Sequence, residues 1–233
     1  MKNGAFAQDI YKQSVNKLEE LDTVRVLQDG RTFAYARAGA VALAAGKLTE
    51  SPVVDTNAVD IAVNTAAIGD MSLTVTFGGA VTADFFADGY LWTNDDTGEG
   101  HFYRVKSHAA GTADVTVYLK DPIRVAFAAA TTVSLSVNRQ NLVLISATTL
   151  DSIPAGVPPI PVDINYYFWN QVKGPCPVLT AGTVVKGNAV GPLTTAGAIA
   201  PMATNDVIGA VGTVLCVNAT TEYSLINLAI KGY

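Results

Sequence analysis

The chain is poor in charge. Only 15% of its 233 residues are Asp, Glu, Lys or Arg, against about a quarter in an ordinary soluble domain. So little charge covers an isolated monomer thinly and points to surface that is buried against neighbours. No basic run exceeds two residues, and the formal net charge is −5. That pattern argues against a nucleic-acid partner, which selects a basic stripe. No apolar window of about 18 residues is free of turn residues, so no membrane span is expected. The segment Met1–Gln13 turns polar within a few residues, and no secretory signal is expected from it. There are two cysteines and two histidines. Cys176 and Cys216 lie in apolar runs and are expected to be two buried thiols rather than a disulfide. None of these four residues has ligand spacing, so neither a zinc site nor a cofactor is expected.

Catalytic signals are equally sparse. Asp95, Asp96 and Glu99 beside Gly98 and Gly100 lack the ligand order of a calcium loop and read as a polar hairpin turn. Gly98-Glu99-Gly100 is followed by neither a helix start nor a lysine, so it is no phosphate loop. His101 and His108 flank a strand, with no Gly-x-Ser-x-Gly turn anywhere. Cys176 sits between two prolines with no histidine nearby in sequence. These observations point away from an enzyme.

What the chain does have is alternation. Hydrophobic residues make up 49% of it, and most fall in short strand-like runs. The expected fold class is mainly β: an N-terminal arm with a short helix, a small β-barrel or sandwich domain, and a C-terminal β domain. The expected boundaries are residues 1–60, 61–140 and 141–233. In the first part, residues 8–21 read as a helix, with Tyr11, Val15 and Leu18 as its apolar stripe and Ile10 and Leu21 flanking it. Glu19, Glu20 and Asp22 oppose the dipole at its end. Gln28-Asp29-Gly30 then marks a hairpin, which is expected to pair with the C-terminal domain. In the second part, five strands are expected: residues 71–77, 89–93, 101–106, 114–119 and 131–137. Phe85 and Phe86 are expected to form a turn over one mouth of this unit.

The third part is organised around residues 166–190, YYFWNQVKGPCPVLTAGTVVKGNAV. Its pattern reads as an apolar hairpin turning at Ala181-Gly182. Tyr166 and Phe168 point to one side of a strand, Tyr167 and Trp169 to the other. A strand apolar on both faces is expected to be covered twice, by its own core and by an interface. The alternative reading of these four rings is a platform for sugars. Residues 192–202 read as a small-residue loop. Residues 207–217 and 223–230 read as closing strands, with Gly209 and Gly212 marking a bulge or close backbone contact.

Three blocks carry a resemblance. DGRTFAYARAGAVALAAGKL (29–48), GYLWTNDDTGEGHFYRVKSH (89–108) with DPIRVAF (121–127), and the closing region 166–233 resemble capsid-associated proteins of tailed bacteriophages. The family implied is that of capsid decoration, or cement, proteins. The resemblance implies a homotrimer in the virion, on the outer capsid surface, assembled in the host cytoplasm and tying neighbouring major capsid proteins together. Tyr11, Val15, Leu18, Tyr166, Tyr167, Phe168 and Trp169 are then the expected interface residues. The alternative is a head fibre or tail-associated module that grips a host glycan through the 61–140 unit, which requires aromatics facing solvent. A major capsid protein is disfavoured because no long spine helix is visible.

Overall fold

The computed structural model describes residues 6–148, 152–192, 195–202, 209–230 and 232, and among these described residues the alternating runs fold into sixteen strands. The first three strands are β1 (Val24–Val26), β2 (Thr32–Arg37) and β3 (Thr49–Glu50). Next come β4 (Ile61–Ala62), β5 (Ser72–Thr76), β6 (Tyr90–Asp95), β7 (Phe102–His108), β8 (Asp114–Leu119) and β9 (Thr132–Ser136). The remainder are β10 (Leu144–Ile145), β11 (Pro154–Gly156), β12 (Tyr167–Leu179), β13 (Ala189–Pro192), β14 (Ile199–Pro201), β15 (Gly212–Cys216) and β16 (Tyr223–Ala229). The chain divides into two units, 54–138 and the flanking pair 1–53 with 139–233. The smaller unit is thus inserted in the sequence of the larger.

The inserted unit is one antiparallel sheet in the order β4-β9-β6-β7-β8-β5. It curls until its ends meet. Val63 bridges Val75, and Asn64 N–H donates to the Thr74 carbonyl at 3.0 Å, leaving a nearly closed barrel. Alternation sends Leu73, Leu91, Val105, Val117 and Leu135 inward to a single core. Gly89 is where two backbones run close: a β-carbon there would strike the carbonyl oxygen of Ser136. One end of the interior is plugged by a turn ahead of β6. Phe86 is fully buried and stacks on Phe77 at 5.6 Å, with Phe85 edge-on to it at 4.9 Å. His108 holds the turn in place. Its Nε2 accepts from Phe86 N–H, and its own N–H donates to the Asp84 carboxylate, each at 3.0 Å.

The larger unit carries a seven-stranded sheet, β1-β2-β12-β16-β15-β13-β14, and a small one, β10-β3-β11. Strand β12 is the spine. Its first half pairs with β2, Trp169 opposite Tyr35, and its second half with β16, Cys176 opposite Ile226. A bulge between Gln171 and Lys173 separates the halves. Pro175 and Pro177 lie beyond Lys173, where β2 no longer runs alongside, so their missing N–H groups cost no ladder bond. The Asp29-Gly30 turn joins β1 to β2, with Gly30 at φ +84°.

Four expectations are corrected. Residues 8–21 do not form a helix. Short side chains there take over the local bonding: Asp9 Oδ1 accepts from Tyr11 N–H at 2.8 Å and Ser14 Oγ from Asn16 N–H at 3.1 Å. Such turns compete directly with helical bonds, and the segment instead lies along the sheet as an irregular strap. The hairpin expected across 166–190 does not close either. β12 has β2 and β16 as its neighbours, and β13 pairs with β14 and β15. Residues 192–202 are not all loop, because β14 returns along β13. Cys216 is exposed rather than buried, since β15 shifts register between Val214 and Cys216. Residues 207 and 208, the start of the expected 207–217 strand, lie outside the described residues; at Gly212 a β-carbon would meet the Asn227 carbonyl.

Candidate interaction surfaces

The strap is held by Gln8, which is almost fully buried. Its side-chain Nε2 donates to the Lys12 carbonyl at 2.6 Å and the Tyr167 carbonyl at 3.0 Å, and its Oε1 accepts from Tyr35 Oη at 2.9 Å. Its backbone carbonyl accepts from Trp169 Nε1 at 3.0 Å and Arg25 Nη1 at 2.9 Å. Ser14 and Tyr167 exchange both backbone bonds, at 2.9 and 2.7 Å. Gln13 grips Asp163 twice, donating to its carboxylate at 2.8 Å and accepting from its N–H at 2.7 Å. The strap is therefore zipped onto its own chain by groups at several points along its length.

This anchoring decides which strap residues face out. Ile10 and Leu21 are buried against Phe33, Tyr35 and Trp169. Tyr11, Val15 and Leu18 point away, at 56%, 62% and 43% exposure. The residues expected as a helical stripe are brought to the surface by a different backbone.

The four aromatics of residues 166–169 divide differently. Phe168 and Trp169 are fully buried, on opposite faces of β12. Phe168 packs with Ala36, Leu43 and Val162. Trp169 meets Phe6 edge-on at 5.1 Å and Tyr35 at 5.1 Å, with the Arg25 guanidinium 5.8 Å from its ring. Both faces of the strand are thus covered by the chain's own residues. Tyr166 and Tyr167 are half-buried, and Tyr167 stacks on Tyr35 at 5.9 Å.

A cleft of about 440 Å³ opens beside the second half of β12, lined chiefly by Tyr11, Pro158, Pro175, Cys176, Pro177 and Tyr223. Burial pushes the Cys176 thiol up to about 12, so it stays protonated and unreactive at neutral pH. Arg31 at the rim is tied to Asp29, 2.7 Å away, and to Tyr11 Oη at 3.4 Å. The Tyr11 hydrogen bond and then the Asp29 carboxylate raise the Arg31 guanidinium; the hydrogen bond from Arg31 lowers Asp29. Among the described residues, no group of three or more His, Cys, Asp or Glu is placed to hold a metal ion. No helix among them is long and apolar enough to cross a membrane.

The barrel's outer wall carries a surface that sequence reading did not single out. Tyr90 and Trp92 on β6 alternate outward, and Phe102 and Arg104 on β7 lie opposite them, Trp92 across from Phe102 and Tyr90 across from Arg104. Trp92 is 37% and Phe102 49% exposed. The signal was present as ring residues two apart in β6, but the register with β7 is what gathers them.

Comparison with protein-family models, curated proteins and solved structures finds no match for this chain.

Proposed function

We propose that this chain is a structural virion component, a capsid decoration or cement protein. It binds the outer surface of a phage head as a homotrimer and links neighbouring major capsid proteins. The observation that carries the reading is the strap. Tyr11, Val15 and Leu18 are apolar, exposed and held in place through Gln8, Gln13 and Ser14. A fixed apolar strip loses little conformational entropy on docking, so even a small contact binds usefully. Repeated over many copies on an ordered shell, weak contacts sum to firm attachment. The low charge content and the resemblance of residues 29–48, 89–108 and 166–233 to phage capsid-associated proteins support the same reading.

The test is co-sedimentation with purified phage heads stripped of the chain, together with sedimentation equilibrium of the free protein. The intact chain is expected to be trimeric, to bind heads saturably and to raise the temperature at which they rupture. A triple change, Tyr11→Ser, Val15→Ser and Leu18→Ser, is expected to weaken head binding at least about tenfold, the loss of ~1.4 kcal/mol, while the fold persists. A stable monomer that ignores empty heads would overturn the reading.

A further inference from the structure

The barrel wall has the chemistry of a carbohydrate site. Three aromatics gather on it: Tyr90 and Phe102 stack at 5.1 Å with 30° between planes, and Trp92 lies directly across the ladder from Phe102. Opposed residues in an antiparallel pair hold their β-carbons about 5 Å apart, so Trp92 and Phe102 leave the wall side by side. A half-exposed Phe beside a partly exposed Trp puts two large apolar side chains next to each other at the surface.

On the other side of Trp92 the surface is polar and fixed. Ser134 on β9 is the ladder partner of Trp92. Its Oγ accepts from Asn94 Nδ2 at 2.8 Å and from Asp60 N–H at 2.9 Å. Asn94 Nδ2 also reaches the Asp60 carboxylate at 3.3 Å, and that carboxylate is exposed. Asp60 itself is held at φ +53°, a conformation that Asp and Asn adopt more readily than most residues. The result is an exposed aromatic pair, Trp92 and Phe102, with a positioned carboxylate tied to Trp92's ladder partner.

We infer that this wall binds a neutral hexopyranoside, its axial C–H face on Trp92 and Phe102 and a pair of its hydroxyls donating to the Asp60 carboxylate. A pyranose ring presents both features at once, an apolar face and equatorial hydroxyls around its edge. Charge selects the neutral class. The barrel unit holds ten acidic against four basic residues, so sialylated, sulfated or phosphate-bearing polymers meet a repulsive field. Hydroxyl groups donating to an ionised carboxylate make roughly twice the bond that they make to a neutral acceptor. Such a site serves a protein on a phage head or on a fibre equally well, so it stands apart from the decoration reading.

The test uses the full chain on a printed array of neutral gluco-, galacto- and manno-oligosaccharides, with sialylated and sulfated glycans as anionic comparators. Positive spots are followed by tryptophan fluorescence. Trp92 and Trp169 are the chain's two tryptophans, and Trp169 is fully buried, so a saturable emission change reports the wall. The intact chain is expected to bind at least one neutral oligosaccharide. Trp92→Ala, titrated by calorimetry because it removes the reporter, and Phe102→Ala are each expected to weaken that binding at least about tenfold with melting temperature unchanged. Asp60→Asn keeps the backbone conformation and is expected to weaken it less. Tyr118→Ala, one strand beyond the platform on β8, is expected to leave it unchanged. Binding of no neutral glycan, preference for the anionic ones, or undiminished binding by Trp92→Ala and Phe102→Ala would each overturn the assignment. So would loss of head binding in Trp92→Ala without any glycan effect, which would give the wall to a protein interface.

Discussion

The two units reach the same all-β end by opposite routes. In the barrel, β6, β7 and β8 are consecutive in sequence and adjacent in the sheet, and one core fills the interior. In the larger unit, the central ladder joins Tyr35 to Trp169, and the buried side chains fall into three clusters on different faces of β12. Closing loops of that length costs chain entropy before any contact rewards it. The barrel's two local hairpins, β6-β7 and β7-β8, carry no such burden, and its widest ladder, Ile61 opposite Val133, closes a shorter loop than Tyr35 with Trp169. Charge divides in the same way. The barrel has ten acidic and four basic residues, the rest of the chain ten and eleven. All of the net negative charge therefore resides on the barrel, and the larger unit is close to neutral.

The sharpest way to break this comparison is to empty one core at a time. Trp169→Ala removes a fully buried ring that also donates to the Gln8 carbonyl, and is expected to cost about 3–5 kcal/mol. Phe86→Ala is expected to cost the barrel a similar amount. Hydrogen exchange read by mass spectrometry distinguishes the consequences. In Trp169→Ala, protection is expected to fall across residues 167–179 and 223–229 while 102–108 and 114–119 stay protected; Phe86→Ala should reverse the pattern. If either change deprotects both sets together, the chain unfolds as a single cooperative block and the contrast between units fails.

A smaller effect tests the strap. Gln8→Leu keeps an apolar body but strips the amide that serves Lys12, Tyr167 and Tyr35. Buried partners left without a bond cost about 1–3 kcal/mol. Faster exchange is expected across residues 9–22, with β12 itself less affected than in Trp169→Ala. Unchanged exchange in the strap would show that Ile10 and Leu21 suffice to hold it.

The difference between the units also explains what could be read in advance. Each expected barrel strand has its counterpart, as 71–77 with β5 and 114–119 with β8, because period-two alternation between glycine turns is local information. The Asp29-Gly30 hairpin was legible for the same reason. β12 was not. Its thirteen residues run unbroken through Gly174-Pro175-Cys176-Pro177, and those prolines are tolerated only because β2 stops at Lys173, a fact of pairing between distant segments. The false helix arose because Tyr11, Val15 and Leu18 have helical spacing, while Asp9 and Ser14 supplied local turns and Tyr35 and Trp169 a place to dock. Of the surfaces, the apolar character of residues 166–169 on both faces was readable, but the strap and loops that cover them were not. Trp92 and Phe102 became neighbours only once their cross-strand register was known.

The mildest expected effect concerns the two thiols, which the structure places in contrasting surroundings. Cys216 is exposed, whereas Cys176 is buried and its thiol is raised from 9.0 to about 12. A thiol released on unfolding ionises near 9, while the folded one stays protonated. The unfolded chain therefore binds fewer protons between those values, and this contribution to stability is whole below pH 9 and is lost as pH rises toward 12. At pH 10 the loss attributable to Cys176 is about 1.4 kcal/mol. Denaturant titrations at pH 8 and pH 10 should show that fall in the wild-type chain, beyond whatever Cys176→Ala shows over the same interval. Cys216→Ala should retain the full fall. Equal slopes for wild type and Cys176→Ala would mean that the cleft beside β12 admits enough water to solvate a thiolate, and that the floor of the larger unit is looser than the barrel's.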